Sequence, residues 1–588
     1  MINLKRWRFQ FIQFFLGVIG ILIIVKIYSY QTSPEAEAFR IGTEFAYTTL
    51  YPARGDIYDR NGNLLAGNIT VYEVGVDLNI VRDNNNADAI ALALSVNAGL
   101  DYADIYTKII DSIKQTDPNI PLNYLVVADY IPADSVKKIR AYIKDLANKP
   151  GTPIESKLGG IGFKAHYQRF YPENSLASNV IGFVTLDNNG YFGVEQEYNN
   201  LLAGIPTNVL VPINPNRAEE IPQVEPGASL ILTIDREIQS AMESILDKTL
   251  DDSGSDSGTI VVMDPRNGEI LAMTSTPRMD LNDYMSFFDI IKDGTFFNRA
   301  ISQAYEPGSV LKILTLATAL DTGAVQTTTT FLDTGVIVVG GVPLTNWDQG
   351  AWGLQDMLGC TQHSLNVCFA WIATQIGTDN FYAYMKKFGL GHTTGIDMAG
   401  EATGRLKLPG DKDWYKVDLG INAFGQALSV TPIQMVMAAS AIANNGRMVQ
   451  PHILYATVEN GTQQNKNYEV VGNPISPQTA QTLNELLAES LNTETSLAEV
   501  DGYRMAGKTG TASIPIFGGY DPSFTNASFI GWGPVDDPKF MVYIWLEKPK
   551  SSTWSSEVAA PVFKEVVEKL VVLMGIPPDQ IRLQMTGQ

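Results

Sequence analysis

The residues best equipped for chemistry fall into three short groups in a fixed order: Ser309-Val310-Leu311-Lys312, Ser364-Leu365-Asn366 and Lys508-Thr509-Gly510-Thr511-Ala512. A serine hydroxyl is a poor nucleophile at neutral pH and needs a proton acceptor within hydrogen-bond reach. Lys312 lies one helical turn on, on the same face. It can act as a base only when neutral, a state favoured by apolar burial and by the positive end of a helix. Val310 to Leu320 is an almost wholly apolar run, preceded by Pro307-Gly308 and followed by Gly323, so the pattern predicts a buried helix with Ser309 at its N-terminus. Ser364 is expected to relay a proton toward the leaving group, and Asn366 to hold an acyl-chain amide. The third group reads as an edge strand. Lys508 and the Thr509 hydroxyl would grip a carboxylate, Gly510 would let a substrate backbone come close, and the N–H groups of Ser309 and Thr511 would form an oxyanion hole. The combined chemistry is acyl transfer through a serine ester.

Order and context carry this reading, because each group alone is weak: S-x-x-K arises by chance on the order of once in a chain of this length. Ser135-Val136-Lys137-Lys138 is a second instance, and Ser95-Val96-Asn97 and Ser490-Leu491-Asn492 imitate the middle group. These imitators lie in polar or amphipathic stretches, whereas Ser309 opens an apolar one. Lys-Thr-Gly occurs once.

The 588 residues suffice for two or three domains, and 45% hydrophobic content with 18% charge describes a globular chain. A formal net charge of -21, with no basic face beyond the first few residues, argues against a nucleic-acid partner. The two cysteines, Cys360 and Cys368, exclude a disulfide framework and a thiolate zinc site. On one continuous helix they would stand roughly 12 Å apart, too far for a bridge, while a loop between them would leave pairing open. Buried free thiols are the expectation. His166, His363, His392 and His452 form no ligand spacing, and no metal or cofactor is expected. His363 beside Ser364 reads as a neighbouring side chain on a loop.

Phe9 to Tyr28 is dominated by Phe, Ile, Leu, Val and Gly. About 20 helical residues at ~1.5 Å each span a ~30 Å hydrocarbon core. Lys5, Arg6 and Arg8 precede it, which predicts a cytoplasmic tail (1–8), a membrane anchor (9–28) and an extracytoplasmic body. Ala36-Glu37-Ala38 imitates a signal-peptide cleavage site but stands too far beyond the apolar stretch.

In the body, Asn61-Gly62 within Arg54 to Ala66 signals a hairpin, and helical stretches follow at Ala87 to Ala98 and Ile131 to Leu146. From Val224-Glu225-Pro226-Gly227 onward, Ser229 to Ile234 reads as a strand and Asp235 as the cap of a helix with Ile238, Met242, Ile245 and Leu246 on one face. Asp251 to Gly258 reads as a flexible acidic loop, and Thr259 to Met263 with Glu269 to Met273 as a second hairpin. Strands at Ser528 to Trp532 and Phe540 to Leu546 precede a closing helix with apolar Phe563, Val566, Val567, Leu570 and Met574. The fold class is therefore α+β, with helices packed on an antiparallel sheet.

This set of groups, in this order, resembles class B penicillin-binding proteins, membrane-anchored peptidoglycan D,D-transpeptidases of the penicillin-binding/β-lactamase-like fold. Arg54 to Ala66 is similar to that family's R-G-x-I-x-D-R-x-G-x-x-L-A signature. Arg169-Phe170-Tyr171-Pro172, Gly193-Val194-Glu195, Tyr198, Leu202, Gly204, Asn298-Arg299-Ala300, Tyr305-Glu306-Pro307-Gly308, Phe424-Gly425-Gln426, Thr431-Pro432 and Gln434 continue the likeness. The resemblance implies a mixed α/β pedestal (29–225) carrying a transpeptidase domain (226–588). It also implies a stem pentapeptide whose penultimate D-Ala carbonyl is attacked by Ser309, transfer to an amine on a neighbouring strand, and acylation by β-lactams. No glutamate-rich glycosyltransferase signature is present, so the implied partners include a polymerase of the SEDS family, lipid-linked nascent glycan, and divisome or elongasome membrane proteins. Ser528 to Pro534 and Ala560 to Phe563 look more like the septal than the elongation branch. The rivals are a D,D-carboxypeptidase or β-lactamase, disfavoured because no E-x-x-x-N stands where a class A β-lactamase would place it, and a non-catalytic β-lactam sensor or scaffold.

Overall fold

The computed structural model describes residues 2–34, 45–115, 123–212, 222, 224–286, 297–491 and 496–586. Ala36-Glu37-Ala38 and Asn492 lie outside them. The chain packs as two compact units, one of residues 1–53, 69–168 and 204–227, the other of 54–68, 169–203 and 228–588.

In the smaller unit, the leader forms a single helix, Ile2–Gln31. Its stretch Trp7–Gln31 is long and apolar enough to cross a membrane and has no buried residues. Phe45–Leu50 pairs antiparallel with Thr207–Pro212. The later part of strand Leu64–Asp77 pairs with Tyr124–Pro132. Helices Ala87–Ala98, Tyr102–Gln115 and Ala133–Asn148 contribute Ile90, Leu94, Ile105, Ile109 and Ile139 to a common core with Val74 and Val76 of that strand. The helix expected from Ile131 begins at Ala133, because Tyr124–Pro132 remains strand.

The larger unit is organised by a five-stranded antiparallel sheet in the order Ile270–Ser275, Ser257–Met263, Phe540–Glu547, Gly519–Gly533, Ala506–Ile516. Strand alternation divides the central Phe540–Glu547 between two cores. Phe540, Val542, Ile544 and Leu546 face the helices Arg236–Ser253 and Ala560–Leu573, while Met541, Tyr543 and Trp545 face the helical layer containing Lys312–Asp321 and Pro432–Ala443. The expected apolar faces are the buried ones: Ile238, Met242, Ile245 and Leu246 on the first helix, and Phe563, Val566, Val567 and Leu570 on the closing one. Asp235 caps its helix as its position suggests, accepting from the N–H groups of Glu237 and Ile238.

The three signature segments of the N-terminal region meet on one carboxylate. Glu195 accepts from Arg54 Nε at 2.6 Å and from Arg169 Nε at 2.8 Å, and the glutamate and both arginine side chains are almost fully buried. Asp59 holds the Asn61-Gly62 turn by accepting from the backbone N–H of Asn61 and Asn63.

Two expectations are corrected. Asp251 to Gly258 is not a flexible linker: the helix continues to Ser253, Gly254 caps it in a left-handed conformation, and the next strand starts at Ser257. Tertiary contacts override the composition there, since Ser257 Oγ donates to Glu547 and the Ser253 carbonyl accepts from Lys550 N. The cysteines are not free thiols but a disulfide, Cys360–Cys368, with Cα atoms 6.1 Å apart. The premise of a continuous helix fails because helix Met357–Gln362 stops before Ser364 and helix Asn366–Ile376 restarts after it.

Phe563 is fully buried, with its ring stacked on Phe529 at 4.4 Å. Phe563→Ala should destabilise the protein by about 3–5 kcal/mol. In denaturant titrations of the full chain this is read as a lower midpoint of the main transition at unchanged slope.

Candidate active site

Ser309 sits in a 3-10 turn, Gly308–Leu311, that feeds directly into the helix starting at Lys312. The turn is tighter than the α-helix expected, and the Lys312 N–H donates to the Ser309 carbonyl, locking the two residues together. The helix ends at Asp321, just ahead of Gly323 with its positive φ. Thr315, one turn past Lys312, donates its hydroxyl to the Ala423 carbonyl at 2.8 Å.

Lys312 is completely buried. Its Nζ lies within hydrogen-bond distance of the Ser364 carbonyl at 2.7 Å, Ser364 Oγ at 3.1 Å and Asn366 Oδ1 at 2.8 Å. It also stands 5.4 Å from the centre of the Phe369 ring. Burial pushes its pKa well below the ordinary lysine value, and the nearby Lys508 cation pushes the same way. Ser364 reaches Lys312 from a left-handed backbone, φ +52°, between the two helices that carry the cysteines. An L-residue adopts that conformation at a cost, and here it turns both the carbonyl and the hydroxyl of one residue toward the same amine.

Lys508, Thr509, Gly510 and Thr511 lie on Ala506–Ile516, the edge strand of the sheet. Lys508 Nζ donates to the Thr509 carbonyl and hydroxyl, each at 3.3 Å. Thr509 and Thr511 line a cavity of about 540 Å³ together with Ser309, Ser364 and Asn366. All three groups therefore meet at one site, with Lys312 beneath it.

Gly510 is required for a reason other than the one expected. A Cβ there would meet Ser528 Oγ at 2.5 Å and Val310 Cγ1 at 2.7 Å, so the missing side chain faces the Ser309 turn, opposite to its cavity-lining neighbours Thr509 and Thr511. Ser528 in turn donates to the Gly510 carbonyl, and the buried hydroxyls of Tyr305 and Tyr543 are hydrogen-bonded on the same side of the sheet. These contacts bind the Ser309 turn to the edge strand, and no local motif marks them. Further walls come from Trp347, Trp554 and Glu557, also outside any motif. The imitator Lys137-Lys138 is exposed on helix Ala133–Asn148 and takes no part.

A serine on a tight turn, a desolvated lysine beneath it and a hydroxyl-lined edge strand define a serine acyltransferase of the α+β type. Residues 258–568 match the family described as "Penicillin binding protein transpeptidase domain", and residues 49–225 match "Penicillin-binding Protein dimerisation domain". The chain belongs to the class B penicillin-binding proteins, the peptidoglycan D,D-transpeptidases. It is 31% identical to stage V sporulation protein D of Bacillus subtilis over 91% of this chain and 81% of that protein. It is 29% identical to peptidoglycan D,D-transpeptidase FtsI of Buchnera aphidicola over 84% of this chain and 87% of that one. Against peptidoglycan D,D-transpeptidase MrdA of Escherichia coli the identity is 28% over 76% and 74%. Among solved structures, penicillin binding protein 2X from Streptococcus thermophilus shares the fold with a TM-score of 0.75, covering 90% of this chain and 80% of that one at 22% identity.

Gly425, at φ +84°, places its carbonyl 2.9 Å from the Gly308 N–H, and a Cβ on it would stand 2.0 Å from the Gly308 carbonyl oxygen. Gly425→Ala must therefore displace the turn that carries Ser309. The acylation rate of Ser309 by benzylpenicillin, followed by intact mass, should fall about 100-fold, the cost of misplacing a reacting group by around 1 Å.

Proposed function

We propose that this protein cross-links peptidoglycan stem peptides through an ester on Ser309. The observation that carries the reading is the buried Lys312 amine held by Ser364 and Asn366. As neutral Lys312 takes the hydroxyl proton, Ser309 Oγ bonds to the carbonyl carbon of the penultimate D-Ala, and backbone N–H groups of Ser309 and Thr511 hold the developing oxyanion. The C–N bond then breaks, and Ser364 passes the proton to the departing D-Ala nitrogen. Asn366 holds the acyl-chain amide, while Lys508 and Thr509 hold the terminal carboxylate, with Gly510 allowing strand and nucleophile turn to close together. β-Lactams enter as carboxylate-bearing mimics and leave Ser309 acylated.

The division of labour we propose is a pedestal at 29–225 and a transpeptidase domain at 226–588, held at the cytoplasmic membrane by 9–28 with residues 1–8 inside and the body outside. A separate glycosyltransferase of the SEDS type would supply nascent glycan, alongside further envelope-synthesis membrane proteins. The segments Ser528 to Pro534 and Ala560 to Phe563 favour the septal branch.

Incubation with benzylpenicillin should leave a long-lived adduct mapped to Ser309, absent in Ser309→Ala and formed far more slowly in Lys312→Ala. Because only the neutral amine accepts a proton, the acylation rate should rise with pH through the lowered Lys312 pKa and level off below 10.5, the ordinary lysine value. Labelling of Lys312→Ala at the parent rate would remove the assigned base. In cells, a fluorescent fusion should gather at the division plane and depletion should give filaments; lateral-wall localisation with rounded cells would place the protein in the elongation branch.

A further inference from the structure

The second half of the reaction brings in an amine, and a lysine-type primary amine, pKa about 10.4, arrives at neutral pH as a cation. The floor of the cleft already carries the Lys508 cation, close enough to Lys312 to lower the pKa of that amine. A cationic acceptor therefore needs a counter-charge on the cavity wall. Among the described residues that line the cavity, Glu557 is the one acid. Its side chain is exposed, and no hydrogen bond or ion pair engages its carboxylate among the described residues.

Two indoles stand beside it. Trp554 shares a turn with Glu557, whose N–H donates to the Trp554 carbonyl at 3.1 Å. Trp347 packs edge-on against Trp554 at 5.1 Å, and both remain about two-fifths exposed, at 45% and 40%. A carboxylate with adjacent indole rings is an ammonium site by both Coulomb attraction and the ring quadrupole. The turn is also fixed relative to the chemistry. Ser555 Oγ lies 2.8 Å from Thr511 Oγ1 and its N–H donates to the same oxygen, while Trp347 Nε1 donates to the carbonyl of His363, the residue before Ser364.

We propose that Glu557, which shares the cavity wall with Trp347 and Trp554, binds the cationic acceptor amine before it attacks the Ser309 ester. This rests on the Ser309 acyl-enzyme reading and adds the specificity of its second step. The bound ammonium gives up one proton to solvent as it leaves the carboxylate, and its nitrogen forms the new C–N bond with the ester carbonyl. The C–Oγ bond breaks, and the proton lost from that nitrogen on attack returns through Lys312 to Ser309 Oγ. Glu557 binds and orients and takes no part in these bond changes.

The test uses the full-length protein in detergent, with an acyl-D-alanyl thioester as donor and two acceptors at fixed neutral pH: Nα-acetyl-lysine amide, cationic, and hydroxylamine, uncharged. In Glu557→Gln the KM for the lysine acceptor should rise about fivefold with kcat held, and further in Glu557→Lys. The ratio of transfer to the lysine acceptor over transfer to hydroxylamine should fall by the same factor, and added salt should shrink the difference between parent and variant. Equal losses for both acceptors, or no change for either, would overturn the proposal. Absence of benzylpenicillin labelling in the parent protein would overturn it together with the acyl-enzyme assignment on which it rests.

Discussion

A single amine with no access to water sets the terms for the rest of the larger unit. Desolvating a lysine is costly unless acceptors replace the lost hydration, and three acceptors from the Ser364 to Asn366 segment do so. Those acceptors converge only because Ser364 holds a left-handed backbone between two helix ends. The site thus stores local unfavourable terms, a buried basic group and a constrained residue, that the surrounding packing offsets.

That packing is two cores sharing one sheet. The central strand is buried on both faces, so the sheet cannot shift without disturbing the helices on either side. The Ser309 turn is seated against the edge strand through Gly308 and Gly510, each with backbone or side-chain atoms where a Cβ would stand. Rigid elements therefore supply the relative placement of Ser309 and Thr511, and side chains have only to be the right type.

Much of this was legible in the chain because it is local. The 3.6-residue periodicity of Ile238 to Leu246 and of Phe563 to Leu570, the Asp235 cap, and the three reactive groups each depend on near neighbours in sequence. What escaped depends on distant ones. The disulfide was hidden by the assumption of helical continuity, which Lys312, some fifty residues earlier, helps to break by engaging Ser364. The role of Gly510 turned on strand parity, which shows only once Thr509 and Thr511 are seen to face the cavity. The acidic, serine-rich stretch after Asp251 looked mobile because its partners, Glu547 and Lys550, lie at the far end of the chain. Trp347 and Glu557 line one cavity from segments with no pattern to link them.

The covalent link between Cys360 and Cys368 adds information of another sort. Cystines persist where no glutathione or thioredoxin keeps thiols reduced, as beyond the cytoplasmic membrane. A sulfur–sulfur bond beside Ser364 suits an oxidising milieu, and it is independent of the basic residues that precede the apolar helix in the sequence. One feature is redox and the other electrostatic, and both accord with the outward placement of the body proposed above.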